Sequence, residues 1–196
     1  MSANVSYGSQ VAGESELRLC GDVGGKRVIE LGIGPVPNAV ALAQAGAKAI
    51  VLDPSSERIA SLRRQAEQAE VRVECHEGEL ADLGFMPSAS VDLVIASHTL
   101  GTVDDLPRLL RQVHRVLRPE TWFVAALFHP VAAMLDNGTP TVQRRYGTST
   151  RSFSELFMTF ERANMRVDVV HELFALTAND APAPAVLVLR GRKQGV

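Results

Sequence analysis

The chain has 196 residues, 46% of them hydrophobic and 21% charged, the balance of a globular domain with a sizeable core. Lys and Arg number 20 against 22 Asp and Glu, a net charge of -2, which excludes the concentrated positive charge that nucleic acid or an anionic membrane selects. Cys20 and Cys75 are too few for a disulfide framework or a Cys-rich zinc site, and no apolar stretch approaches the ~20 residues of a membrane span.

Residues 1–23 carry neither a basic head nor an apolar export region and are expected to form an N-terminal helical segment of a cytoplasmic protein. Residues 27–31 (Arg-Val-Ile-Glu-Leu) are a short β-branched run closed by a Gly-rich turn, the pattern of a buried strand. Residues 37–46 follow as a helix, with Pro37 in the first turn and Gly46 as its stop. Residues 48–52 read as a second strand, ended by Asp53-Pro54, and residues 55–69 as a helix with Ile59, Leu62 and Ala66 on one side. Residues 71–75 alternate like a half-buried strand, and residues 91–96 (Val-Asp-Leu-Val-Ile-Ala) form a fully buried one. Thr102 and Asp105 suggest a capping box before the stripe Leu106, Leu109, Leu110, Val113 and Leu117, which Pro119 ends. Residues 122–128 make the fifth strand.

Residues 130–151 lose all periodicity among Asn137, Gly138, Pro140 and several threonines, so a loop or lid is expected there. Ser152 and Glu155 predict a second capping box, followed by the apolar stripe Phe153, Leu156, Phe157 and Phe160. Residues 166–173 and 185–190 close the chain as two strands joined by a polar, Pro-containing connection. Strands alternating with helices predict a parallel sheet covered on both faces. The closing pair is antiparallel, because its connection is too short for a crossover.

In such a sheet ligands gather beyond the carboxyl ends of the strands, where strand order reverses. Strand one is followed by Glu30-Leu31-Gly32-Ile33-Gly34-Pro35-Val36-Pro37, a Gly-x-Gly turn whose last expected glycine is Pro37, a poor match to a dinucleotide fingerprint. Strand two ends at Asp53, placed either to accept two ribose hydroxyls or simply to start the next helix. After strand three, Gly78-Glu79-Leu80 offers a carboxylate for an adenine amino group and an apolar cover for its ring; the other reading of Glu79 is a plain surface residue.

Taken together, Glu30-x-Gly32-x-Gly34, Asp53, Gly78-Glu79, Val91-Asp92-Leu93-Val94 and Val113-His114-Arg115-Val116-Leu117-Arg118-Pro119 resemble class I S-adenosylmethionine-dependent methyltransferases, nearest to the small-molecule branch that includes the quinone-biosynthesis type. The resemblance implies an α/β, Rossmann-like, doubly wound, seven-stranded and mostly parallel sheet with an antiparallel last strand. It also implies one methyltransferase domain over residues 1–196, with 131–151 as an acceptor-side loop. S-adenosylmethionine is the implied cofactor. Glu30, Gly32 and Gly34 would hold its methionine end, Asp53 and Pro54 its ribose, and Glu79 and Leu80 its adenine; Ser97 and Tyr7 complete the implied binding set. Three positions depart from the family pattern: Val36 replaces the third glycine, Glu79 an aspartate, and Pro119-Glu120-Thr121 the usual Pro-Gly-Gly.

Methyl transfer from a sulfonium is an in-line displacement dominated by alignment and desolvation, with a base needed only when the acceptor must lose a proton. His129 and His98, which follow strands five and four, are the catalytic candidates, His129 ahead because it lies further toward the acceptor; both have a second reading as packing residues. Tyr7 and Tyr146 could close over cofactor or acceptor, and Arg144-Arg145 could attract an acceptor carboxylate. No metal site is expected. The expected partner is a small-molecule methyl acceptor, with no nucleic acid and no membrane, and a homodimer is left open. A catalytically silent cofactor-binding domain is the alternative function, and Pro37 argues against a nicotinamide oxidoreductase.

Overall fold

The computed structural model describes residues 3–136, 139–177 and 180–195; Asn137 and Gly138, part of the expected loop, lie outside the described residues. β1 (Arg27–Leu31) forms where Val28 and Ile29 bring β-branched side chains to a strand buried on both faces. It is flanked by β2 (Lys48–Asp53) and β4 (Val91–Ser97), with β3 (Val73–Glu77) outside β2. β5 (Leu117–Phe128), β6 (Met165–Leu173) and β7 (Val186–Lys193) complete one sheet in the order β3-β2-β1-β4-β5-β7-β6. The first five strands run parallel, and β7 is antiparallel to both neighbours. This is the seven-stranded Rossmann-like sheet expected from the sequence.

Two apolar layers sandwich the sheet. One joins Ile29, Ile50 and Val94 to the stripe Leu106, Leu109, Leu110 and Val113 of α4 (Leu106–Val116) and to Leu156 and Phe160 of α5 (Phe153–Arg162). The other joins Val28, Val51 and Ile95 to Leu42 of α2 (Ala39–Gln44), Ile59 and Leu62 of α3 (Ser56–Gln68), and the N-terminal residues Val5, Tyr7 and Val23.

Several expected boundaries move. β3 starts at Val73 rather than Val71, because the left-handed Glu70 turn after α3 uses up two residues. α4 has Asp105 itself as its N-cap, its side chain accepting from the Arg108 amide, while residues 100–102 form a separate 3-10 turn. Ser152 does cap α5, but the Glu155 carboxylate binds Arg151 instead of reaching back, so the box is half formed. The N-terminal segment holds one helical turn, α1 (Glu14–Leu17), and otherwise runs irregularly across the sheet. In both α4 and α5 an acceptor at the N-cap suffices without its reciprocal partner.

Candidate active site

The order β3-β2-β1-β4 places the reversal of strand order between β1 and β4, and the turn after β1 spans that crevice. Glu30, fully buried in β1, sends its carboxylate to the start of α2, accepting from the Asn38 amide (2.9 Å) and the Ala39 amide (2.7 Å). An acidic group at that helix start meets unsatisfied N–H donors and the positive end of the dipole. Burial pushes its carboxyl up to about 7, against the lowering effect of those amides. Glu30 therefore orders the turn into α2.

The glycines have a different reason. A Cβ on Gly34 would sit 2.3 Å from the Ser97 carbonyl oxygen, and one on Gly32, which is left-handed at φ 75°, would sit 2.6 Å from Thr99. Both are bare so that the turn can lie directly on the end of β4. The Thr99 hydroxyl donates to the Leu31 carbonyl across the same contact.

Asp53, 1% exposed, accepts from the Ile33 amide (2.6 Å) and the Ser55 amide (2.7 Å), and the Arg58 guanidinium lies 3.3 Å from it while also donating to the Ile33 carbonyl. Its carboxylate thus ties the turns after β1 and β2 together, and Ser55 caps α3 through its own side chain. Pro54, Arg58, Glu79 and Leu80 line a cavity of about 400 Å³ beyond β2 and β3, whose far wall is Asp104, Asp105 and Arg108.

A second cavity, about 350 Å³, opens beyond β1, β4 and β5. Pro35, Val36, Ser97, His98, Phe128 and Ala132 line it, together with Ser6, Gly8 and Ser9 from the N-terminal segment and Ala185 and Val186 from the start of β7. Asn38 stitches that segment on: its side chain accepts from the Ser6 amide and donates to the Ser6 carbonyl and to Ser97.

The two candidate histidines are placed differently: His98 lines the cavity and His129 does not. His98 is left-handed at φ 60°, lies on the cavity wall, and packs its ring 4.7 Å from Phe128. Its Nε2 meets the Tyr7 carbonyl at 2.8 Å, so Nε2 carries the proton; Nδ1 is buried and has no partner. His129 is 1% exposed and has both nitrogens engaged: Nδ1 accepts from the Val131 amide and Nε2 meets Glu172 at 2.9 Å. It is absent from the cavity wall: Phe128, the last residue of β5, faces the cavity, and His129, one residue further on, sets its ring edge-on to Phe153 instead.

Tyr7 is likewise corrected. Its ring is fully buried and its hydroxyl donates to Glu14 at 2.5 Å beside Cys20, so only its backbone reaches the site. Burial raises both the Tyr7 and the Cys20 acidities' thresholds, Tyr7 above the usual phenol range. The Tyr146 hydroxyl accepts from the Phe153 amide at the head of α5, away from the cavity, and Arg144 reaches the Leu135 carbonyl. Sequence reasoning missed Ser6, Asn38, Arg58 and Phe128. Phe128 left a signal, an aromatic at the carboxyl end of the fifth predicted strand, and the structure leaves it 60% exposed.

Residues 29–125 match a family described as a methyltransferase domain. A Mesorhizobium loti S-adenosylmethionine-dependent methyltransferase shares the fold at TM-score 0.68 and 23% identity, covering 88% of this chain and 93% of that one. Geranyl diphosphate C-methyltransferase from Streptomyces coelicolor, solved with Mg2+, geranyl diphosphate and S-adenosylhomocysteine, superposes at TM-score 0.72 and 11% identity over 92% of this chain and 79% of its own. The mouse protein Arginine-hydroxylase NDUFAF5, mitochondrial, is 49% identical over 51 residues, a match that spans 25% of this chain and 15% of that protein. Residues 29–125 thus form a methyltransferase domain, and the chain carries the fold of S-adenosylmethionine-dependent methyltransferases, whose cofactor is S-adenosylmethionine.

The site's residues fit that cofactor. Leu80 offers an apolar face and Glu79 a carboxylate acceptor on the cavity wall, the groups an adenine base calls for, whereas Asp53, held by the Ile33 and Ser55 amides and by Arg58, does not line that cavity.

Proposed function

We propose that this enzyme methylates a small, largely apolar molecule held in the 350 Å³ cavity, with Glu30, Gly32, Gly34 and Ser97 shaping the cofactor's methionine end and Asp53, Pro54, Glu79 and Leu80 its adenosine. The observation that carries the reading is the character of the cavity wall: Pro35, Val36, Phe128, Ala132, Ala185 and Val186 dominate it, and among the described residues no carboxylate lines it. When bound, the cofactor supplies an electrophilic methyl group on a sulfonium. The chain contributes by excluding water and by aligning the acceptor, the two effects that an in-line displacement uses most. For an acceptor that must lose a proton, His98 on the cavity wall is the group to receive it: the Tyr7 carbonyl fixes the tautomer that leaves Nδ1 bare, and a shift of the ring must first uncover that buried nitrogen.

An arginine acceptor is the second reading, favoured by the 51-residue similarity to Arginine-hydroxylase NDUFAF5. A guanidinium in this cavity would lose its hydration without meeting a carboxylate, a penalty of several kcal/mol. The experiment is turnover measured as S-adenosylhomocysteine release, with small hydroxylated apolar compounds against arginine peptides. Turnover confined to the peptides overturns the proposal. With an active acceptor, His98→Asn, whose side chain tolerates the left-handed backbone, is expected to lower kcat about 10²-fold or more while S-adenosylhomocysteine binding holds. His129→Gln is expected to leave kcat nearly unchanged and to cost stability.

A further inference from the structure

At the end of the sheet opposite the cleft, residues at or just ahead of the starts of three neighbouring strands form a row of cations. Arg27 of β1 pairs with Lys48 of β2, and Ala49 pairs with Val73 of β3, so Arg72, one residue ahead of Val73, continues the row. Paired residues of parallel strands project to the same face, about 4.8 Å apart from strand to strand. Ile50 and Glu74 pair one step further in on that face, and these residues with Ala47 and Ala49 line a cavity of about 290 Å³.

Like charges placed side by side destabilise a sheet. Little around this row relieves them. The Asp92 carboxylate, at the other side of Arg27, is taken by the Arg118 guanidinium and the Arg27 backbone amide. Glu74 is held by His76 at 2.6 Å. Among the described residues, none of the Arg27, Lys48 and Arg72 side chains ion-pairs with a carboxylate. The cavity wall therefore carries three positive side chains against the single charge of Glu74, in a protein whose net charge is -2.

We propose that this cavity is a second ligand site, separate from the methyl-transfer cleft, and that it binds a compact oligophosphate. Two guanidiniums offer paired donors to phosphate oxygens and Lys48 a point charge between them. The row spans two strand spacings, roughly 10 Å, and then stops, which suits a short polyanion rather than a nucleic-acid backbone.

The test is calorimetry of the full chain with inorganic tripolyphosphate at fixed ionic strength. One-to-one binding is expected, unaffected by saturating S-adenosylhomocysteine. Replacing the two exposed cations together, Lys48→Gln with Arg72→Gln, is expected to weaken it about tenfold or more, which is 1.4 kcal/mol or more, with S-adenosylhomocysteine binding retained as proof of folding. Should the double variant not fold, Arg72→Gln alone is expected to weaken binding measurably. No binding, undiminished binding in a folded variant, competition by S-adenosylhomocysteine, or tighter binding of a single-stranded RNA than of tripolyphosphate each overturns the proposal.

Discussion

A carboxylate under a helix start and a carbonyl in the path of an absent methyl group illustrate how single atoms govern this cleft. Glu30 titrates near 4.3 in an unfolded chain and at about 7 here, so the folded state holds its proton more tightly. Its contribution to stability is fully present below about pH 4.3 and is lost as pH rises through 7. Glu30→Gln is therefore expected to flatten the stability-pH curve across that window, by up to about 3 kcal/mol, when denaturant midpoints are measured at successive pH values. Gly34→Ala brings a methyl against the Ser97 carbonyl at a backbone contact that cannot swing away, and should cost about 1–3 kcal/mol and most of the cofactor affinity. Gly101→Ala, whose Cβ meets nothing within 4 Å, should leave both unchanged. Thermal denaturation with S-adenosylhomocysteine titration reads both variants. The sequence makes Glu30, Asp53 and Leu80 visible as candidates because they lie at or just beyond the carboxyl ends of strands. It does not reveal that Gly34 is bare for the sake of Ser97, since that contact joins residues 63 positions apart in the chain.

Elements rather than residues explain why the strands were legible and their ends were not. β1, β2 and β4 are continuous apolar runs because both faces are covered, and their limits agree with the sequence within one residue. β5 begins five residues before the expected start, at Leu117, directly where α4 ends; a register shift opposite Val91 and Leu93 absorbs the exposed Arg118, Pro119 and Glu120, which no alternation rule could assign to a strand. Glu120 takes φ 65° there, the conformation for which the family's glycine is suited. At α5 the half-formed box makes a direct comparison. Ser152→Ala, which removes the acceptor for the Glu155 amide, should lower stability by about 1 kcal/mol. Glu155→Ala, which removes only the exposed pair with Arg151, should cost about 0.3–0.5 kcal/mol. Urea midpoints at unchanged m-value measure both.

For the whole molecule, binding and folding are linked by mass action: S-adenosylhomocysteine at 100 times its Kd should add about 2.7 kcal/mol to unfolding, read as a rise in Tm. Among the described residues no helix is long and apolar enough to cross a membrane, and no group of three His, Cys, Asp or Glu residues is placed to hold a metal ion. Topology puts the methyl-transfer cleft at one end of the sheet and the basic row at the other. The N-terminal segment belongs to the cleft end through two-way amide bonding between Asn38 and Ser6 and the hold of the Tyr7 carbonyl on His98. This has a practical side for anyone preparing the enzyme. An affinity tag or fusion partner joined ahead of Ser6 sits beside peptide groups that wall the 350 Å³ cavity, the proposed acceptor site, so substrate preference, and not expression alone, is at stake in where the tag is placed. A tag carried after β7 leaves those groups alone, and comparing acceptor profiles of the two preparations would expose the difference.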